Sequence, residues 1–239
     1  MSSFALLCML LANITAPAQD VVTVHLHFVF DGEGSSPRRG TRAAPPVAVV
    51  WLSPVDDVHQ VHLSAAPRTF TMAQHDKMFL PSLLVVPVGS VVSFPNRDPF
   101  FHNVFSLFNG QRFDLGLYQA GQSRDVTFVR PGASYIFCNI HPEMAATIIT
   151  LDTPLYALTD KLGNASIYHV PAGRYTVHIW SASTSPAELN ALTHEVVVTG
   201  RKPTDLGVVD IHGSRVPDTQ HLNKYGQPYD TPHPGQPYQ

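Results

Sequence analysis

Cysteine is nearly absent: the 239 residues contain two, Cys8 and Cys138. Charge is sparse as well, with 15 basic and 18 acidic side chains and no block of Lys or Arg. Nucleic acids and anionic membrane surfaces are recognised by such blocks, so neither is expected as a partner. No apolar run approaches the roughly 20 residues that cross a bilayer, which excludes a helical membrane span. Long helix-forming runs are missing too. In their place stand 21 prolines and many valines and threonines, the composition of β structure cut by turns. The expected fold class is all-β. At about 100 to 200 residues per domain, the chain can bury one large core or two modest ones.

Cys8 sits in a short apolar run, residues 4–11, followed by Ala16-Pro17-Ala18. That order fits an export signal ending near Ala18, and the mature chain is expected to be periplasmic or otherwise exported. Leu7 is too large for the small residue that precedes a lipid-attachment cysteine. Cleavage leaves Cys138 with no partner for an internal disulfide, as a metal ligand in an oxidising compartment requires. A lone cysteine is more often an inert core residue, and its neighbours reverse that expectation here.

Residues 135–149 read Tyr-Ile-Phe-Cys138-Asn-Ile-His141-Pro-Glu-Met144-Ala-Ala-Thr-Ile-Ile. A thiol, an imidazole and a thioether recur at intervals of three between two strand-like runs. A thiolate and imidazoles in one plane, with a long weak thioether above them, suit copper cycling between Cu(I) and Cu(II). The second imidazole is expected from Phe100-Phe101-His102-Asn103-Val104-Phe105-Ser106. The predicted ligand set is therefore His102, Cys138, His141 and an axial Met144. Zinc would more naturally recruit Glu143 or Asp98 than a methionine. A nucleophilic Cys138 activated by His102 or His141 leaves Met144 without a role.

His102-Asn103-Val104 followed by Cys138-x-x-His141-x-x-Met144 resembles the copper-loop pattern of the cupredoxins, with spacings closest to amicyanin. A longer phrase runs from Phe94-Pro95-Asn96 through Phe113-Asp114-Leu115-Gly116 and the copper loop to Thr159-Asp160-Lys161. It resembles an exported group described as methylamine-utilisation-protein-like. The resemblance spans roughly residues 70 to 180 and implies a Greek-key β-sandwich. It also implies that His141 lies near the surface in an apolar patch and passes electrons to a partner. Asn103 would tie the two ligand loops together by hydrogen bonds.

In chain order, residues 21–30 alternate as a strand with His25 and His27 on one polar face. Residues 47–52 form a second strand, and His59 and His62 fall in a polar connection. Further strands are expected over 79–87, 90–94, 125–128, 134–138 and 147–151, with a loop at 96–99. Residues 106–121 read as irregular around a turn at Asn109-Gly110. About seven or eight strands suit a two-sheet sandwich. From residue 155 the chain resembles the second half of a carboxypeptidase regulatory-like module, a small Ig-like or transthyretin-like β-sandwich. That module opens with strand, Gly-rich turn and strand, as residues 21–53 do.

The expected organisation is a signal peptide (1–18), the first part of the regulatory-like sandwich (19–66), a cupredoxin domain (67–152), the second part of the sandwich (153–212) and a disordered tail (213–239). The tail has almost no aliphatic residues to offset the entropy of ordering, and His221 and His233 within it are weak metal candidates. The function expected is that of an exported type 1 copper protein, with one copper per chain, carrying single electrons between a protein donor and acceptor. A full set of protein ligands leaves no position for substrate, so no catalysis is expected. Copper sequestration or delivery, which uses the same soft ligands, is the alternative.

Overall fold

A computed structural model of the protein describes residues 21–30, 46–56, 65–107, 110–199, 202–213 and 223–229. Strand β1 (Val22–Phe30) shows how the sequence builds the sheets: Val22, Val24, Leu26 and Phe28 are buried, and the residues between them face outward. His25 Nδ1 meets Asn164 Oδ1 at 2.6 Å and His27 Nδ1 meets Asp210 Oδ1 at 2.9 Å, so both imidazoles serve a polar sheet face.

β1 pairs antiparallel with β14 (Asn164–Ile167) and parallel with β17 (Thr204–Gly213). β2 (Ala48–Pro54) lies between β13 (Tyr156–Leu158) and β15 (Gly173–Ser181), and β16 (His194–Val198) closes that sheet. Residues 22–54 are thus joined to residues 156–213 across everything between them. Gly163 marks how closely they approach. Its carbonyl accepts the Leu26 N–H at 2.9 Å, its φ is +87°, and a Cβ there would lie 2.3 Å from the Leu26 oxygen, so only glycine fits.

The intervening chain forms two further sheets. β10 (Ser123–Phe128), β7 (Ser90–Pro95) and β3 (Thr69–Thr71) make one. The other runs in the order β6 (Leu83–Pro87), β12 (Ala145–Leu151), β11 (Gly132–Phe137), β8 (His102–Ser106) and β9 (Phe113–Tyr118). A small hairpin, β4 (Ala73–His75) and β5 (Met78–Leu80), lies beside them. Met72, Phe79, Val92, Phe94, Val104, Phe128, Ile136 and Ile148 fill the space between the sheets.

β12 is buried on both faces, which accounts for a strand with no charged residue, its two threonines, Thr147 and Thr150, being buried as well. Ala146 and Ile148 enter the core just described, and Ile149 and Leu151 join a second core with Val24, Leu26, Val50, Leu52, Val177 and Ile179. One sheet therefore serves two cores, and the strands flanking residues 138–144 are packed from both sides.

The fold is all-β, with one short helix among the described residues, α1 (Pro186–Ala191), started by a capping box between Ser185 and Glu188. Several details differ from the sequence expectation. The run 79–87 is divided between β5 and β6 at Pro81-Ser82, β9 lies within the stretch read as irregular, and α1 was not anticipated. The signal region 1–18, His59, His62, Asn109, His221 and His233 lie outside the described residues. Among the described residues, no helix is long and apolar enough to cross a membrane.

Candidate metal centre

His102 opens β8, Cys138 directly follows β11, and His141 and Met144 lie in the connection to β12. β11 and β12 pair up to Phe137 opposite Ala145, so residues 138–144 are a tight loop between hydrogen-bonded strand ends. The loop is closed internally: Cys138 N–H donates to Met144 O at 3.3 Å and Met144 N–H to His141 O at 3.0 Å. Phe137 also faces Phe105 of β8, which sets Cys138 beside the start of that strand.

These constraints converge on the thiol. Cys138 Sγ lies 3.7 Å from His102 Nδ1 and 3.7 Å from His141 Nδ1. The three donors fall within 4.8 Å of one another, and their residues are 0%, 0% and 5% exposed. Such separations suit donors sharing one metal at bonds of about 2.0 to 2.3 Å. Met144 is fully buried in the same apolar cluster as Cys138.

The second nitrogen of His102 is also engaged. Nε2 lies 2.8 Å from Asp98 Oδ2, and Asp98 is 3% exposed. Asp98 is held in turn by the backbone N–H groups of Asp76 (2.7 Å) and Lys77 (3.0 Å), and its own N–H donates to Asn96 Oδ1 at 3.0 Å. Asp76 and Lys77 have φ of 53° and 55°, a left-handed turn that non-glycine residues adopt at a cost. It aims two donors at one carboxylate. A carboxylate only accepts, so His102 carries its proton on Nε2, which leaves the Nδ1 lone pair facing the thiol.

Burial pushes the Asp98 carboxyl up, but the Lys77 N–H, His102 and the Asp76 N–H together outweigh it and hold it below its ordinary range. Burial lowers both imidazoles, His141 to about 4, so both are neutral near pH 7 with a lone pair to give. Burial raises the Cys138 thiol, against the backbone N–H groups of Asn103, Ile140 and His141, which favour its thiolate. A bound cation tips that balance toward the thiolate. A second acidic group, His75, Asp76 and Asp98, shares Asp98 with this site, and its other two members are exposed.

One expectation drawn from the resemblance takes a different form. His141 is 5% exposed, because the Phe100 ring lies 5.6 Å from it and 5.2 Å from His102. Phe100, 36% exposed, separates the imidazoles from solvent. Asn103 reaches the 138–144 loop through its backbone N–H, which donates to the Cys138 sulfur. Its Nδ2 donates to Asp114 Oδ1 at 2.8 Å, and its buried Oδ1 has no partner among the described residues.

The tie continues through the C-terminal segment. Lys224 Nζ donates to Asp114 Oδ2 at 2.8 Å, Lys224 N–H to Asn139 Oδ1 at 3.0 Å, and Tyr229 OH to the Cys138 carbonyl at 2.7 Å. Composition predicts no order over 213–239; residues 223–229 are held by polar contacts, which hydropathy does not register. The Asp-x-x-x-His spacing of Asp98 and His102 was the one available signal for the buried carboxylate. Nothing local marks Lys224 or Tyr229.

No protein-family model and no curated protein matches the chain. Among solved structures it is similar to a Cu-containing nitrite reductase from Thermus scotoductus SA-01, at 25% identity and a TM-score of 0.34, covering 41% of this chain and 27% of that one. The chain thus spans about a quarter of the reductase's length. It is similar to a purple cupredoxin from Nitrosopumilus maritimus at 22% identity and a TM-score of 0.32, covering 34% and 99% of the two chains. A reduced variant of amicyanin gives 19% identity and a TM-score of 0.33, covering 43% and 98%.

Proposed function

We propose that His102, Cys138 and His141, with Met144 as a weaker fourth donor, hold one copper ion, and that the protein carries single electrons between a protein donor and a protein acceptor. The observation that carries this reading is the convergence of one buried thiol and two buried imidazoles, each 3.7 Å from the sulfur. Mixed soft sulfur and imidazole donors of this kind match copper. Copper, when bound, supplies a one-electron couple.

The chain's own residues supply the rest. Asp98 orients His102 and fixes its tautomer, and the N–H groups of Asn103, Ile140 and His141 favour the Cys138 thiolate. Phe100 and the core around Met144 exclude water. The loop 138–144 is pinned at both ends to β11 and β12, so it has little freedom to rearrange when the charge at the site changes. With all donors drawn from the protein, no position is left for substrate, and the protein acts as a carrier in an exported setting, without a reaction of its own. In this reading residues 67–152 form the metal domain, inserted in a sandwich split between 19–66 and 153–212, and that second sandwich is a docking or spacer module.

The test is reversible redox cycling of copper-loaded protein in the presence of a Cu(I) chelator. An electron carrier keeps one copper per chain over repeated cycles, and its intense visible colour bleaches and returns with one electron per copper. Loss of copper to the chelator on the first reduction would instead identify a protein of copper sequestration or delivery.

A further inference from the structure

We propose that residues 223–229 are a strap that completes the metal centre from outside, with Lys224 and Tyr229 as its positioning residues; the proposal rests on the reading of His102, Cys138 and His141 as metal ligands. The strap is a folded unit in its own right. Asn223 Oδ1 accepts the N–H groups of Tyr225 (2.9 Å) and Gln227 (3.0 Å). Gly226 N–H donates to Asn223 O at 2.9 Å and Asn223 N–H to Gln227 O at 2.8 Å, and Gly226 takes the φ of +75° that the turn needs. These bonds hold the Lys224 backbone within the turn that presents it to Asp114 and Asn139.

Its contacts fall on residues adjacent to ligands. Asn103 neighbours His102, and Asn139 neighbours Cys138. The hydrogen-bonded path Asn103–Asp114–Lys224–Asn139 joins them, and Lys224 supplies its last two links, one from its ammonium and one from its backbone. Without Lys224 the path ends at Asp114. Asp114 and Lys224 are 36% and 21% exposed, partly shielded, which strengthens the pair over a fully solvated one. Burial raises the Asp114 carboxyl, but Lys224, the Gly116 N–H and Asn103 together hold it below its ordinary range, so it stays charged.

Tyr229 acts on the ligand residue itself. Its hydroxyl donates to the Cys138 carbonyl at 2.7 Å, at the point where the chain leaves β11 and the sheet ladder no longer holds it. The strap thus clamps the outer side of a loop whose inner side is held by β11 and β12. The contact is long-range in sequence: Cys138 and Tyr229 are 91 residues apart.

Amide hydrogen exchange of the metal-free protein reads the clamp without any metal. The reporters are the amides of Cys138 and Met144, whose acceptors lie within the loop. Each strap contact is an ordinary hydrogen bond, so Tyr229→Phe and Lys224→Met are each expected to speed their exchange roughly three- to tenfold. A chain ending at residue 222 should speed it further. Amides of β1 and β15 serve as the fold control and should not change in the point variants.

In the copper-loaded protein the same variants should release copper faster to a Cu(I) chelator. Unchanged loop exchange in both point variants would overturn the strap, whether or not the truncated chain folds. Should the full chain fail to bind copper while loop exchange still depends on Tyr229 and Lys224, the copper reading falls and the clamp stands. Should copper bind and loop exchange ignore the strap, the reverse holds.

Discussion

Cys138→Ser is expected to abolish the strong visible absorption of the copper-loaded protein and to weaken copper binding more than about a hundredfold, beyond the 10- to 100-fold typical of losing an outer-shell partner. Serine keeps the size but does not ionise near neutral pH, so the site loses its only anionic donor among the three that converge. The site as a whole then offers two neutral imidazoles and a thioether, a set without the charge that balances Cu(II). Competition titration against a chelator of known affinity reads the loss. Circular dichroism of the metal-free variant separates it from unfolding, since a buried hydroxyl left unpaired costs only about 1 to 3 kcal/mol. A variant that kept its colour would remove Cys138 from the site.

The second large effect is expected from Asp98. Asp98→Asn retains the shape and one acceptor oxygen but removes a full negative charge buried against His102. Two consequences follow with definite signs. Copper affinity should fall about 10- to 100-fold, because the imidazole is less firmly oriented and less basic. The reduction potential should rise, because Cu(II) carries one more positive charge than Cu(I) and a nearby carboxylate favours the more positive form. Potentiometric titration of the two proteins measures the shift. An equal or lower potential in the variant would show that the carboxylate charge is not felt at the metal, and would confine Asp98 to holding the β4–β5 turn.

Much of this architecture was legible in the sequence, for physical reasons that differ from element to element. β1 shows because Val22, Val24, Leu26 and Phe28 alternate with polar residues over one buried face. The Cys138–His141–Met144 spacing stands out because the three recur within one short loop, and the structure brings Cys138 and His141 together with His102. β9 is hidden because it is an edge strand, mostly half-buried and interrupted by Gly116, so period-two burial never develops. The second face of β12 is hidden too. A strand without charged residues hints at burial on both sides, but not that the two sides belong to different cores.

The residues that support the ligands were the hardest to see. Asp98 sits in Asn96-Arg97-Asp98-Pro99, whose composition is that of a surface turn; only the fold shows the carboxylate turned inward to His102. Lys224 and Tyr229 lie in a stretch with almost no aliphatic side chains, where composition predicts disorder. What holds them is a set of specific polar contacts, and these depend on geometry that no local pattern encodes. Candidate donors that share one short loop are readable from their spacing. The groups that tune and clamp them come from long-range contacts and are not.

The central claim is that one copper is held by the sulfur of Cys138 and the Nδ1 atoms of His102 and His141. X-ray absorption at the copper edge of the protein loaded with one equivalent tests it most directly. The account predicts a nearest shell of one short sulfur and two imidazole nitrogens, with thioether sulfur further out or unseen. A shell of nitrogen and oxygen alone, with Cys138 still open to alkylation, would contradict it.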